Sequence, residues 1–226
     1  LKRLLKNEPF QYIIGDVEFY GLELNCDSRA LIPRPETEEL VDWILSSLDK
    51  NTTREIADLC AGSGCIALAL KSKIPNAEII AAELSEEAIA LIEENCLKTD
   101  LRVIPIKMDV LNDEEYSLFK GNSFDCWVSN PPYIPTKDKQ MMSENVLGFE
   151  PHMALFVEDN DPLIFYSKLT ENAKKYLKDY GYLFFEIHED YSEKMKSMLK
   201  LKGFVNIELR KDLQGKARMM RAQNVI

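Results

Sequence analysis

Basic charge is what this 226-residue chain has too little of: 28 Lys and Arg stand against 38 Asp and Glu, a formal net charge of −10. Such a chain has no global field that draws it to a polyanion, so stable nucleic-acid binding is not expected, although a local basic patch is compatible with it. Histidine is limited to His152 and His188, and the five cysteines (Cys26, Cys60, Cys65, Cys96, Cys126) are scattered, odd in number and never spaced as Cys-x-x-Cys. No metal site or disulfide framework follows from that pattern, and the thiols are expected to be free in a reducing compartment. No run reaches the roughly 18 apolar residues that a membrane-spanning helix needs, and no signal peptide opens the chain. A cytoplasmic, monomeric protein without metal or membrane contact is the expectation.

What is present is enough apolar sequence, 46% of residues, for one sizeable core and a small appendage. The opening "LKRLLKNEPFQYIIG" reads as the tail of a helix entering an extended segment. The alternation in "DVEFYGLELNC" predicts a short hairpin. In "LIPRPETEELVDWILSSL", Pro35 suits a first helical turn, Glu36, Glu38 and Glu39 suit the positive helix end, and Leu40, Val41, Ile44, Leu45 and Leu48 share a face.

From residue 54 short apolar runs alternate with helical stretches: "REIADLC", "CIALALKSK", "AEIIAAEL", "SEEAIALIEENCLK", "RVIPIKMD", "FDCWVSN". That alternation predicts an α/β fold, a parallel sheet covered on both faces. A helix over about Pro162 to Lys178 then leads to a strand "GYLFFEI", a helix near Tyr191 to Lys202 leads to "GFVNIELR", and "ARMMRAQ" closes as a last strand.

"DLCAGSGC" follows a strand and opens a helix, with Cys60, Ala61, Gly62, Ser63 and Gly64 forming a loop that a ligand can approach closely. The three-glycine dinucleotide fingerprint is incomplete, because Cys60 stands at its first position and Ala67 at its third, and no Gly-Lys-Ser/Thr marks a phosphate loop. A NAD-dependent oxidoreductase is therefore disfavoured. The next strand ends at Glu83, placed to take both hydroxyls of a ribose, and the third at Asp109 and Val110, a carboxylate and an apolar neighbour for an adenine edge and face. Glycine loop, ribose acid and adenine contacts without pyrophosphate machinery suit S-adenosyl-L-methionine.

"NPPY" ends the fourth strand of the run, beside the reactive end of that cofactor. Pro131 and Pro132 stop any strand and stiffen the loop. An amide or aromatic-amine nitrogen is a poor nucleophile, so catalysis must orient it and stabilise the charge it acquires. The Asn130 side-chain oxygen and the Pro131 carbonyl can accept its two N–H bonds, and Tyr133 offers a ring face. Asn130, Pro131, Pro132 and Tyr133 thus read as a rigid clamp for a planar NH2 group.

In this order "PFQYIIG", "LIPRPETEELV", "DLCAGSGCIALAL", "NPPYI" and "EPHMAL" resemble the HemK/PrmC-type protein-glutamine methyltransferases. The resemblance implies a Rossmann-like class I methyltransferase fold over residues 31–226, a mostly parallel seven-stranded sheet, preceded over residues 1–30 by the end of an upstream helical domain, with Leu1 to Lys6 its last turn, a linker and the hairpin. It also implies methyl transfer from S-adenosyl-L-methionine to the glutamine amide of the Gly-Gly-Gln motif in class 1 peptide chain release factors. The cofactor residues fall on Cys60 to Gly64, Glu83, Asp109, Val110 and Asn130, and the clamp on Asn130 to Tyr133. Arg34, Pro35, Glu36 and Thr37 are expected to border the site, and "DLQGKARMM", with Gly215 and Arg218, resembles the closing segment. His188 replaces a customary glycine and reads as a tolerated strand-end change, not a base. The alternatives are a nucleic-acid amino-methyltransferase, which should carry a basic surface and would need its base flipped out, and a binding module without activity.

Overall fold

The computed structural model describes residues 2–49, 54–121 and 123–226; Leu1, with which the expected helix tail begins, lies outside them. The helices are α1 (Phe10–Ile14), α2 (Pro35–Ser47), α3 (Cys65–Lys73), α4 (Glu86–Thr99), α5 (Glu144–Phe149), α6 (Ile164–Tyr176) and α7 (Ser192–Leu201). The strands are β1 (Asp16–Phe19), β2 (Leu22–Asn25), β3 (Glu55–Leu59), β4 (Glu78–Glu83), β5 (Ile104–Lys107), β6 (Phe124–Ser129), β7 (Ile134–Pro135), β8 (Phe156–Val157), β9 (Leu177–Glu186), β10 (Val205–Lys211) and β11 (Ala217–Gln223).

Seven strands form one sheet in the order β10-β11-β9-β6-β3-β4-β5. β5, β4, β3, β6 and β9 run parallel, and only β11 pairs antiparallel, with β9 on one side and β10 on the other. The chain leaves β3 toward β4 on one side and returns to β6 on the other, so the crevice for a ligand lies beyond the carboxyl ends of β3 and β6. Both faces are covered, as nearly continuous burial along β3 and β6 requires. Cys126 and Val128 of β6 point into one core with α2, α3 and the hairpin, while Trp127 points into the other with α6 and α7.

Local chemistry explains the helix starts. The Ser85 hydroxyl accepts the Ala88 N–H (3.2 Å) to cap α4, with Glu86 and Glu87 in its positive first turn. Pro35 opens α2, where a missing N–H costs no hydrogen bond. The hairpin β1-β2 is docked on α4 through buried Asn95, whose side chain accepts the Asn25 N–H (2.7 Å) and donates to the Ser63 carbonyl (3.1 Å). One side chain thereby ties hairpin, helix and glycine loop together.

Three expectations are corrected. Phe10–Ile14 is a helical turn, not an extended segment, because burying Tyr12 against Cys26 and Ile32 needs that curl and Gly15, at φ 89°, ends it. The helix expected to reach Lys178 stops at Tyr176, and β9 starts at the buried Leu177, well before Gly181. The irregular stretch uses Tyr180 in the left-handed region and Gly181, where a Cβ would come within 2.9 Å of the Lys178 carbonyl. Residues 134–157 also hold structure with no sequence signal: the short parallel pair β7-β8 and the single-turn-and-a-half α5.

Candidate active site

An open cleft lies at the carboxyl ends of β3, β4 and β6, where ligands bind in open parallel sheets. Its floor is the glycine loop. Cys60, Gly62 and Gly64 all have left-handed backbone (φ 63°, 55° and 77°), so the position where a dinucleotide fingerprint has its first glycine keeps that conformation although a cysteine occupies it. A Cβ on Gly62 would meet only Ala30, at 4.0 Å, so the space beside the loop is open. Gly64 is different: a Cβ there would stand 3.1 Å from Ile92, because loop and α4 pack closely.

Asp58, buried at the end of β3, anchors the loop from below by accepting the Ala67 N–H (3.0 Å) through one oxygen, while the other has no partner among the described residues. Burial pushes its pKa up to about 8. Glu83, at the end of β4, accepts the Gly62 N–H (2.8 Å) through Oε2 and the Leu84 and Ser85 N–H groups (2.8 and 3.0 Å) through Oε1. The acid that sequence spacing assigns to a ribose therefore also fixes the glycine loop. Met108, Asp109 and Val110 form the opposite wall.

At the far end of the cleft, Asn130 follows β6, its Nδ2 3.5 Å from the Thr37 hydroxyl in the first turn of α2. Pro131 and Pro132 are buried and carry no regular structure, as the strand-stopping pair requires. The Tyr133 hydroxyl donates to Glu186 Oε1 (3.2 Å) and its ring meets His188 edge-on, with centroids 6.1 Å apart. Glu186 ends β9, is 2% exposed, and also accepts the Thr37 hydroxyl through Oε2 (2.7 Å). Burial raises its pKa, opposed by the hydrogen bonds from Thr37 and Tyr133 and by the charge of Arg218.

Of the residues singled out from sequence, Cys60, Ala61, Gly62, Ser63, Glu83, Asp109, Val110, Asn130 and Pro132 line the cleft together with Arg34 and Thr37. Gly64, Pro131 and Tyr133 are not among its lining residues, nor are Pro35, Glu36 and His188. His188 Nδ1 accepts the Asp190 N–H (3.2 Å), which suits a packing role. Sequence reasoning missed Glu186 and Glu150. The only signal for Glu186 was an acid closing an apolar strand, and for Glu150 the "EPHMAL" motif in which it lies. Glu150 is 4% exposed and holds both Arg34 and the Ile32 N–H, so it pins the segment before α2 along the cleft.

The family model "Methyltransferase small domain" matches residues 40–148. The chain is 39% identical over 224 residues to the release factor glutamine methyltransferase of Flavobacterium psychrophilum, covering 98% of this chain and 77% of that protein. It is 40% identical over 220 residues to the Bacteroides thetaiotaomicron protein of the same name, covering 97% and 77%. The chain belongs to the release factor glutamine methyltransferase family. Among solved structures it is similar to a T. thermophilus 16S rRNA methyltransferase in complex with AdoMet and guanosine: TM-score 0.64, 17% identity, 92% of this chain and 49% of that one. At that identity the likeness shows the fold alone, the class I methyltransferase sheet that this release factor glutamine methyltransferase family member shares with a nucleic-acid enzyme.

Proposed function

We propose that this protein transfers a methyl group from S-adenosyl-L-methionine to the side-chain amide nitrogen of the glutamine in the Gly-Gly-Gln motif of class 1 peptide chain release factors. It acts in the cytoplasm as a monomer, without stably bound nucleic acid. Support for the substrate comes from the names of relatives 39% and 40% identical to it. The structural observation that carries the chemistry is Asn130, an amide at the end of a cleft whose other end is a glycine loop and a carboxylate.

The residues fit the cofactor. Open space beside Gly62, the Glu83 carboxylate and the Ser63 hydroxyl offer contacts to a nucleoside with an amino-acid tail. Met108 and Val110 provide apolar flanks for a base, with Asp109 between them. When bound, S-adenosyl-L-methionine would supply an electrophilic methyl on a sulfonium, whose S–C bond breaks to leave S-adenosyl-L-homocysteine. The chain's own work is orientation. Asn130 Oδ1 and the Pro131 carbonyl accept the two N–H bonds of the glutamine amide, holding the nitrogen with its face toward the methyl and stabilising positive charge as the bond forms. The nitrogen then returns to neutrality by releasing one proton to water. No basic side chain is needed at that nitrogen, since the proton becomes acidic only once the new bond exists.

A nucleic-acid amino group would meet the same clamp. Against it stand the net charge of −10 and the relatives' names. Mass-spectrometric mapping of a release factor after incubation with enzyme and cofactor tests the proposal: methyl is expected on the glutamine side chain, and methyl elsewhere refutes it.

A further inference from the structure

We propose that Glu186 is the positioning residue that decides which way the Asn130 amide points, acting through the Thr37 hydroxyl. This rests on the reading of Asn130 as the acceptor for the substrate amide.

The argument is one of proton inventory. An ionised carboxylate only accepts hydrogen bonds, and a threonine hydroxyl has one proton to give. Glu186 takes the proton of Thr37 at 2.7 Å and that of Tyr133 at 3.2 Å. Toward Asn130, 3.5 Å away, the Thr37 oxygen is left with lone pairs alone. The Asn130 atom facing it must therefore be the Nδ2 donor, which turns Oδ1 away from Thr37 and leaves it free as an acceptor. With the amide reversed, two oxygens would face each other and the incoming NH2 would meet another NH2. Substrate acceptance thus depends on a carboxylate that does not line the cleft.

Burial raises the pKa of Glu186, and the groups around it work against that shift. Thr37 and Tyr133 reach it from α2 and from the loop after β6, and the positive charge of Arg218 on β11 opposes the effect of burial, while Glu36 works the other way. Arg218 is itself held by Asp212 (3.2 Å). The "DLQGKARMM" segment thereby gains a reason to lie where it does: it brings a cation to the back of the clamp. Thr37, in the first turn of α2, is buried at 2% exposure, and its hydroxyl is held by Glu186 at 2.7 Å.

Glu186→Gln keeps the volume but supplies a donor. Its Nε2 can give a proton to Thr37, whose own proton then turns to Asn130 and favours the reversed amide. The test uses the full chain with Glu186→Gln, Thr37→Val and Thr37→Ser. Methyl transfer to a release factor gives kcat and KM, titration gives cofactor Kd, and the ¹⁵N side-chain amide signal of Asn130, assigned with Asn130→Asp, reports the orientation without turnover.

Glu186→Gln and Thr37→Val are expected to lose roughly a hundredfold in kcat with cofactor Kd little changed, as misplacement of a reactive group by about an ångström does. Thr37→Ser, which keeps the hydroxyl, recovers most of what Thr37→Val loses, and the Asn130 amide signal moves in the first two variants. Unchanged kcat in Glu186→Gln, or an Asn130 signal that stays in place, overturns the proposal. If the unaltered enzyme labels no release factor, the substrate reading falls, and the Asn130 signal still decides the role of Glu186.

Discussion

Arg34 and Glu150 lie 116 residues apart in sequence and meet at the cleft wall, where the same carboxylate also takes the Ile32 N–H at 3.1 Å. Glu150 is nearly inaccessible while Arg34 is half-buried, so truncating the acid leaves a cation and an N–H without partners. Glu150→Ala is expected to cost about 3 kcal/mol, in the range for breaking one side of a buried pair. For a chain of this size that lowers Tm by roughly 6–12 °C, measurable by calorimetry. A variant melting with the unaltered protein would show that the pair does not hold the segment.

Asn130 and Glu83 sit at opposite ends of the site and should fail differently. Asn130→Ala is expected to abolish turnover almost completely while weakening cofactor binding less. Glu83→Ala is expected to weaken cofactor binding by roughly a hundredfold, the scale of losing hydrogen bonds to a charged group, because it also releases the Gly62 N–H. Isothermal titration beside steady-state kinetics separates the two. Near-normal turnover by Asn130→Ala would remove the clamp mechanism.

Asp58 makes a pH-dependent contribution to stability. Its carboxyl titrates near 3.8 when unfolded and near about 8 in the folded chain. Between those values the folded protein holds a proton that the unfolded chain has released, so this group's contribution to stability falls as pH rises through that window. Asp58→Asn removes that slope. Its Tm relative to the unaltered protein is expected to climb steadily from pH 4 to pH 8, and a constant difference would refute the assignment.

Two neighbouring glycines should respond unequally to alanine. Both have positive φ, which costs an L-residue about 1–2 kcal/mol, but only at Gly64 does the new methyl press on Ile92, at 3.1 Å. Gly64→Ala is expected to unfold at lower denaturant than Gly62→Ala, whereas Gly62→Ala, facing open space in the cleft, mainly disturbs cofactor binding. Equal midpoints would mean that the contact with α4 relaxes freely.

Much of this architecture was legible because it rests on local rules. Alternating apolar runs marked the parallel strands, Ser85 and Pro35 marked helix starts, and the spacing from Gly62 to Glu83 placed two groups that do touch. The glycine loop and "NPPY" carried their geometry in residues with few permitted conformations. What was not legible depends on pairs distant in sequence. Glu186 looks like an ordinary strand-end acid until α2 delivers Thr37, 149 residues away, to its oxygen. The ring of Tyr133 was assigned a part from its sequence position, but the partner of its hydroxyl, the same carboxylate, was not legible there. β7, β8 and α5 escaped because each is too short for periodicity to register.

The central claim is that methyl goes to a glutamine amide, and transfer of labelled methyl from S-adenosyl-L-methionine tests it most directly. A purified release factor, its Gly-Gly-Gln variant with Gln→Ala, and total RNA and DNA are offered in parallel. Label on the unaltered factor alone is the expected result. Label retained by the Gln→Ala factor, or found on nucleic acid instead, would contradict it.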